Sequence, residues 1–301
     1  MANVREHEIL STLAFFDVFD HPLTSYELAS WGEGENRVEF SALAAAIDTL
    51  KERGVVAEQD GFLFLADRPE LPKQRRVRQE WIARKMKRAL RAARLLRHVP
   101  FVAMVAVCNR LSVGHPREES DIDVFMVIRD GRLWFGRLLV TAMLQMAGLR
   151  RHGDRVANRI CLSFYLTPRA AALDAVKLDD DPYLRYWIAH LLPLFACGAV
   201  LRDFWQANEW AHRALYQAPQ PLPLTPGRAS AFAIVLAWLL GGRLGDMFER
   251  VSRAWQIRHM GTHSARQNSA VVISDTMLKF HEQDRRAWYA SAWCERLTEV
   301  A

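Results

Sequence analysis

The sequence predicts an α+β protein in four parts: a helical unit with a hairpin (1–70), a long basic helix (71–98), a mixed-sheet core (99–170) and a helical C-terminal region (171–301). Apolar residues recur at helical spacing through most of the first part and all of the second. Two apolar runs of strand length then flank a polar turn, and helical spacing dominates again afterwards. The 301 residues, half of them hydrophobic, suffice for two or three packed domains.

The first part is predicted to contain three helices and then a hairpin. Thr24 and Glu27 have the spacing of a capping box, in which each side chain binds the other residue's backbone amide. Asp60-Gly61 is a strong signal for a two-residue hairpin turn. This order of elements is that of a winged helix. The helices are expected at about 4–16, 24–31 and 38–53, and the hairpin at 55–65.

Charge is distributed unevenly along the chain. Residues 1–70 carry 5 basic and 14 acidic residues, a net charge of −9, whereas residues 73–97 carry 11 basic residues and 1 acidic residue, a net charge of +10. Affinity for DNA comes mostly from neutralising phosphates with Lys and Arg. A DNA-binding regulator is therefore not favoured, and the acidic first part is expected to contact a protein partner or a second copy of the chain.

The basic helix admits two interpretations. It is either a solvated connection, which is the commoner case, or a platform for an anionic ligand such as a triphosphate, a nucleic acid or an acidic partner. An apolar seam of Ile82, Met86, Leu90, Ala93 and Leu96 is expected to pack against the protein. The basic side chains that cover the remaining faces are Arg75, Arg78, Arg84, Lys85, Arg88, Arg91 and Arg94.

A strand, a short helical turn, a loop and a second strand are predicted between residues 102 and 128. Asp121 and Asp123 enter the second strand two residues apart, so their side chains are expected on one face. Two such carboxylates repel each other and raise each other's pKa unless a cation lies between them. Hard carboxylate oxygens suit Mg²⁺, which commonly takes one or two of them together with phosphate oxygens and water.

This stretch resembles the nucleotidyltransferase superfamily, with its polymerase-beta-like fold. The matching residues are Ser120-Asp121-Ile122-Asp123 before a hydrophobic strand, with a strand and a turn upstream. The resemblance implies that Asp121 and Asp123 hold Mg²⁺ and a nucleoside triphosphate. It further implies transfer of a nucleoside monophosphate to a hydroxyl acceptor, which the sequence does not identify, with release of pyrophosphate.

The phosphate-binding half of the family motif is degenerate here. The family has Gly-Ser at the turn, and the aligned residues are Asn109 and Arg110. The phosphates would then lie over the turn from Asn109 to Ser112, near Ser120, with Arg110 replacing the usual hydroxyl.

The third carboxylate of the family is also missing. It stands on a following strand, predicted here at 158–167, where the available side chains are Cys161 and Ser163. Neither residue provides a carboxylate base, and Asp154 on the preceding loop is a weak substitute. A catalytically inactive binding or scaffold module with this fold therefore remains the alternative to an enzyme.

The region after residue 170 is predicted to be helical. One helix, capped by Asp179-Asp180-Asp181-Pro182, is expected to continue through Leu191 and Leu194. Another is expected from about 229 to 260 with a kink at Gly241-Gly242. His281 and Asp284 lie one helical turn apart, and a general base from His281 is not favoured.

Two further patterns concern the core helix and the chain's environment. Leu133, Leu138, Leu139, Met143 and Met146 are expected to face inward, whereas Arg132 and Arg137 are expected in solvent. The apolar run 231–240 is shorter than the roughly 20 residues that span a bilayer, so a buried helix and no membrane partner are expected. Cys108, Cys161, Cys197 and Cys294 match no metal spacing and fit buried thiols in a reducing cytoplasm.

Overall fold

The computed structural model of the protein describes residues 2–33, 39–179, 181–225, 227–260, 271–280 and 284–300. These residues form a mixed six-stranded sheet, a separate two-stranded hairpin and helices packed around both. The prediction of an α+β protein with a mixed sheet is therefore confirmed.

The N-terminal part follows its local sequence signals. The Thr24 hydroxyl accepts a hydrogen bond from the Glu27 amide at 3.2 Å, and the Glu27 carboxylate accepts one from the Thr24 amide at 2.8 Å. Asp60 and Gly61 both have positive φ, at 57° and 78°, as a tight hairpin turn of this kind requires. The elements are α1 (Ala2–Asp17), α2 (Ser25–Trp31), α3 (Phe40–Glu52), β1 (Val56–Gln59) and β2 (Phe62–Leu65).

The basic helix, α4 (Leu71–Leu96), connects this part to the sheet. Its interpretation as a solvated rod is wrong at two positions, because Arg75 and Lys85 are buried. Arg75 donates to the carbonyl of Pro22 and to the carboxylate of Glu27. Helical periodicity assigns both residues to a polar face. Segments that are distant in sequence but close in space cover that face.

The sheet has the order β6-β3-β4-β5-β8-β7, where β4 and β5 are parallel and every other pair is antiparallel. The C-terminal region, predicted to be helical, supplies three of the six strands, β6, β7 and β8. The edge strand β6 corrects the prediction that a helix continues through Leu191 and Leu194. That helix ends at Ala189, and the following apolar residues hydrogen-bond to β3 instead. The strands are β3 (Val102–Val107), β4 (Ile122–Ile128), β5 (Ile160–Leu166), β6 (Leu192–Ala196), β7 (Val271–Ile273) and β8 (Met277–Phe280).

Helices cover both faces of the sheet and its ends. The predicted cap is present in part: Asp181 accepts a hydrogen bond from the Leu184 amide at 2.8 Å, while Asp180 lies outside the described residues. The helices are α5 (Asn109–Val113), α6 (Leu133–Met146), α7 (Pro182–Ala189), α8 (Val200–Ala207), α9 (Glu209–Arg213), α10 (Ala231–Leu239), α11 (Arg243–Met260) and α12 (Arg286–Val300).

The predicted inward face of α6 is present in part: Leu133 is buried, and Leu139 and Met143 pack against the core. The prediction is wrong for Met146, which is 79% exposed, and the buried side also includes Trp134, Phe135, Val140 and Leu144. The two arginines expected in solvent bind other parts of the chain. Arg132 is buried and donates to the carbonyl of Gly241 at 2.8 Å, and Arg137 donates to the side chain of Gln256. The acceptors of these bonds lie on α11 and on the turn before it, so the sequence of α6 alone could not predict them.

The region 229–260 is two helices instead of one kinked helix, because α10 and α11 meet at an angle of 91°. The expectation of a buried apolar helix is also wrong: Phe232 and Trp238 on α10 are 65% and 78% exposed. No single helix in the described ranges is long and apolar enough to cross a membrane; α10 and α11 reach that length and composition only as a bent pair.

Three apolar clusters make up the interior. One lies between the sheet and the helices α4 and α6, and a second lies on the opposite sheet face with α7 and α8. The third holds the N-terminal helices and hairpin, and it also includes Tyr186, Ala189, Leu215 and Tyr216. The N-terminal part therefore shares its apolar interior with residues from the C-terminal region.

Candidate functional site

Asp121 and Asp123 lie together at the N-terminal end of β4. Cys161 is the direct partner of Asp123 on the parallel strand β5. One ligand atom from each of Asp121, Asp123 and Cys161 lies within 4.8 Å of the others. The two-residue spacing thus brings both carboxylates to one place, and strand pairing adds a thiol that is remote in sequence.

The electrostatics of this group follow from its burial. Burial and the adjacent Asp121 carboxylate raise the pKa of Asp123 to about 6, although hydrogen bonds with Asn109 and Cys161 oppose the rise. Asp123 therefore changes charge just below neutral pH. A cation placed between the carboxylates would favour the ionised form of both.

Arg151 supplies a positive charge at the outer side of the pair. Its guanidinium donates to the Asp121 carboxylate at 2.7 Å, and the arginine side chain is 47% exposed. Arg151 therefore partly compensates Asp121 from the solvent side. The other side of Asp121 and Asp123 faces the cavity described below and is left open by Arg151.

Lys85 holds the loop that leads into β4, a role that the sequence analysis missed. Its ammonium donates to the carbonyl of Ser120 at 2.6 Å, to the carbonyl of Glu118 at 3.0 Å and to the side chain of Asn158 at 3.2 Å. Burial lowers the pKa of Lys85, while the Asp121 carboxylate opposes that shift. The lysine is thus a buried link between α4 and the residue before Asp121.

Asn109, at the start of α5, has a backbone φ of 56°. Asparagine adopts this left-handed region more readily than most residues with a side chain. Its side chain accepts a hydrogen bond from the Trp187 indole at 2.7 Å and also bonds to Asp123. Asn109 therefore forms a left-handed turn after β3 and orients one carboxylate.

A cavity of about 270 Å³ opens in front of the acid pair. Four of the predicted phosphate-site or metal-site side chains line it besides Asp121: Asp123, Asn109, Arg110 and Ser120. Ser112 is not brought into the cavity, because its hydroxyl donates to the carbonyl of Asn109 at 2.9 Å.

Aromatic residues form a large part of the remaining cavity wall, which also contains Arg285, a valine and two histidines. The aromatic residues come from α1 and the turn after it, from α7 and from α12, and Tyr183 stacks on Tyr289 with ring centroids 4.9 Å apart and planes 8° apart. No sequence signal relates these segments, since they lie at opposite ends of the chain. The aromatic residues of the wall are Phe15, Phe16, Phe19, Tyr183, Tyr186, Trp187 and Tyr289.

Among the described residues, Cys161 is the third potential metal ligand in the group with Asp121 and Asp123. Burial, together with the nearby carboxylates, raises the pKa of its thiol to about 12, so the sulfur is neutral at physiological pH. Asp154 does not belong to the group, and Ser163 hydrogen-bonds to the Cys161 thiol. His281 lies outside the described residues, and Asp284 is paired with Arg286 at 2.7 Å.

The donor set fits one hard divalent cation. Two carboxylates supply oxygen ligands, and the cavity leaves room for phosphate and water oxygens to complete the coordination. A neutral thiol is a poor ligand for Mg²⁺, so a second cation has little support. Comparison with known proteins gives no further guidance: no family model, no curated protein and no solved structure matches the chain.

Proposed function

We propose that the protein binds Mg²⁺ and a nucleoside triphosphate at Asp121 and Asp123. One observation carries the proposal: two carboxylates converge at a strand end, at the wall of a cavity, and burial together with the neighbouring Asp121 carboxylate raises the pKa of Asp123 to about 6. Such a pair is costly without a cation and favourable with one. The resemblance to the nucleotidyltransferase superfamily supplies the nucleotide as the ligand that brings the remaining oxygens.

Each predicted site residue except Ser112 has a role in this proposal. Asp121 and Asp123 provide the cation's carboxylate ligands, and Asn109 orients Asp123. Arg110 and Arg285 line the cavity as cationic groups for phosphate oxygens, and Ser120 lines it as well. Bound Mg²⁺ would neutralise the triphosphate and stabilise charge that develops during transfer.

Arg151 competes with the cation for Asp121. Removing it in Arg151→Ala frees a carboxylate oxygen and removes a repelling charge, so Mg²⁺ should bind up to about fivefold more tightly, in line with a partly exposed ion pair. Isothermal titration of the nucleotide-free protein measures this change, with Arg150→Ala as the matched control. Weaker Mg²⁺ binding by Arg151→Ala would contradict the competition.

The binding proposal is tested with the two acids. The wild-type protein is titrated with ATP, GTP, CTP and UTP in the presence of Mg²⁺, and the titrations are repeated with Asp121→Ala/Asp123→Ala. The double variant should lose magnesium-dependent binding at least tenfold, because each carboxylate is a direct ligand. Asp154→Ala, an acid on the nearby loop, should bind as the wild type does. Equal affinity of the double variant and the wild type would end the assignment.

Two functions use such a site, and the third acid distinguishes them. Transfer of a nucleoside monophosphate to a hydroxyl acceptor is the activity that the resemblance implies. A neutral Cys161 in place of a carboxylate favours the non-catalytic binding module, because an activated nucleophile and a second metal lack support. Pyrophosphate release, measured across hydroxyl acceptors for wild type and Cys161→Asp, separates the two. Release by the wild type establishes the enzyme, and binding without release establishes the module.

The N-terminal part has the element order of a winged helix, and we propose that it contacts protein and not DNA. The basic residues at the end of α3 are already paired: Lys51 with Glu58 and Arg53 with Glu6, both at 2.7 Å. Phosphate neutralisation needs available cations. A protein partner or a second copy of the chain fits this acidic part better.

A further inference from the structure

The successive helices α10 and α11 carry ten large apolar side chains that are exposed to solvent. Trp238 is 78% exposed and Trp255 is 50% exposed, and no described element covers either. Single exposed apolar residues are ordinary, but a contiguous patch marks an interaction surface. We call this set the apolar ridge: Phe232, Ile234, Val235, Trp238, Leu239, Leu244, Met247, Phe248, Val251 and Trp255.

The ridge is separate from the face that holds α11 to the protein. On α11 its members recur at helical spacing and form one stripe. A neighbouring side of the helix contains the buried residues Gly245, Ser252 and Gln256, and Gln256 donates to the carbonyl of Trp134 at 2.7 Å. Phe248, at the edge of the stripe, stacks on Phe135 of α6 with ring centroids 5.2 Å apart. α11 is therefore held to the body along one side, and most of its apolar stripe faces solvent.

The charges beside the ridge are positive. Arg243, Arg250 and Arg258 are exposed on α11. The two acids of this helix are bound to the body instead: Asp246 pairs with Arg132 at 2.8 Å, and Glu249 accepts from the amides at the start of α6 at 2.9 and 2.8 Å. Within the described ranges these three arginines form no ion pair, so positive charge lies next to tryptophan, phenylalanine and aliphatic side chains.

We propose that the apolar ridge lies in the interface of an anionic lipid bilayer. Helices that rest in that interface combine Trp, Phe and Leu on the buried face with arginine or lysine beside it. Anionic headgroups are the complementary charge for the arginines. A second copy joined through the same ridge would bring one arginine-bordered surface against another, and charge disfavours that arrangement. Association with a bilayer surface does not need a membrane-spanning segment. The angle of 91° between α10 and α11 also disfavours such a segment.

Vesicle sedimentation tests the proposal with the whole chain. The protein should sediment with vesicles of phosphatidylcholine mixed with phosphatidylglycerol, less with phosphatidylcholine alone, and less as salt rises. Trp238→Ser/Trp255→Ser should lower the partition coefficient about tenfold or more, since two large apolar side chains leave the lipid. Trp288→Ser is the matched control, because Trp288 is 58% exposed on α12, outside the ridge. It should sediment as the wild type does.

A second pair of variants leaves the apolar side chains intact. Arg243→Glu/Arg250→Glu should lose binding to the mixed vesicles severalfold, whereas Arg213→Glu, at an exposed position on α9, should not. Thermal melting checks that each variant is folded. Failure of the wild type to bind vesicles, or equal binding by the tryptophan pair, would overturn the proposal. So would a wild-type dimer in sedimentation velocity that the tryptophan pair dissociates, because the ridge would then bind a second copy.

Discussion

Lys85 lies in an environment that the basic composition of its helix does not predict. It stands in the most basic stretch of the chain, yet its side chain is fully buried and its ammonium meets three oxygen acceptors. Two of these are the carbonyls of Glu118 and Ser120, in the loop before Asp121. A buried cation with its donors satisfied is a strong local constraint, and here it fixes where the acid pair begins.

Replacement of Lys85 by methionine keeps the length of the side chain and removes the charge. Lys85→Met should lower the free energy of unfolding by about 2–4 kcal/mol, because buried acceptors lose a charged donor. Lys87→Met, at an exposed position two residues further on, should change it by less than about 0.5 kcal/mol. Urea denaturation measures both. Equal stabilities for the two variants would show that the hydrogen bonds of Lys85 do not hold the loop.

At the scale of elements, α7 is anchored at its first turn by a buried ion pair. Asp181 caps the helix through the Leu184 amide and also receives Arg286 of α12 at 2.6 Å. The side chains of Asp181 and Arg286 are 0% and 7% exposed. Because α7 and α12 both contribute to the cavity wall, this pair sets the distance between two sides of the candidate site.

Substitution of Asp181 separates its two roles. Asp181→Ala removes the cap and leaves a buried arginine without this partner, so it should destabilise the protein by about 3–5 kcal/mol. Asp181→Asn keeps a capping oxygen and should cost less. Asp179→Ala, at an exposed position before the cap, is the control. Chemical denaturation gives the values, and a similar loss in Asp179→Ala would remove the special role of Asp181.

The elements that were predicted from sequence are those that local rules determine. The capping box at Thr24, the Asp60-Gly61 turn and the pair Asp121 and Asp123 each depend on residues a few positions apart. β6 was missed because its apolar run becomes a strand only by pairing with β3, which is remote in sequence. The burial of Lys85, the position of Cys161 and the exposure of α10 likewise depend on which distant segment lies opposite. No periodicity within one element contains that information.

At the scale of the whole molecule, histidines are buried where the N-terminal part meets the core. His190 donates through Nδ1 to the carbonyl of Tyr186 at 2.9 Å and stacks on Trp31 with ring centroids 3.8 Å apart. Burial lowers the pKa of His21 and His115 well below the usual value and lowers that of His190 from 6.5 to about 4. The folded protein therefore keeps these rings neutral.

Stability should consequently fall as the pH falls from 6.5 toward 4. In this window the unfolded chain takes up protons that the folded chain refuses, so acid favours unfolding. His190 alone contributes about 3 kcal/mol over the full window, and Asp123, whose pKa is raised, offsets part of it. Urea denaturation at about pH 7 and about pH 5 measures the slope. His190→Gln should flatten it, whereas exposed His7→Gln should not; an unchanged slope in His190→Gln would contradict the assignment.

The shared third cluster has a consequence for dividing the chain. Phe15 of α1 stacks on Tyr186 of α7 at 4.0 Å, and the Trp293 indole of α12 donates to the carbonyl of Ser11 at 2.8 Å. An expressed fragment that ends at residue 70 would expose these surfaces of α1 to water and would be prone to aggregate. A fragment that starts at residue 71 would expose Tyr186 and would lack one wall of the cavity in front of Asp121. Neither fragment is therefore suitable for binding assays, which should use the whole chain of 301 residues.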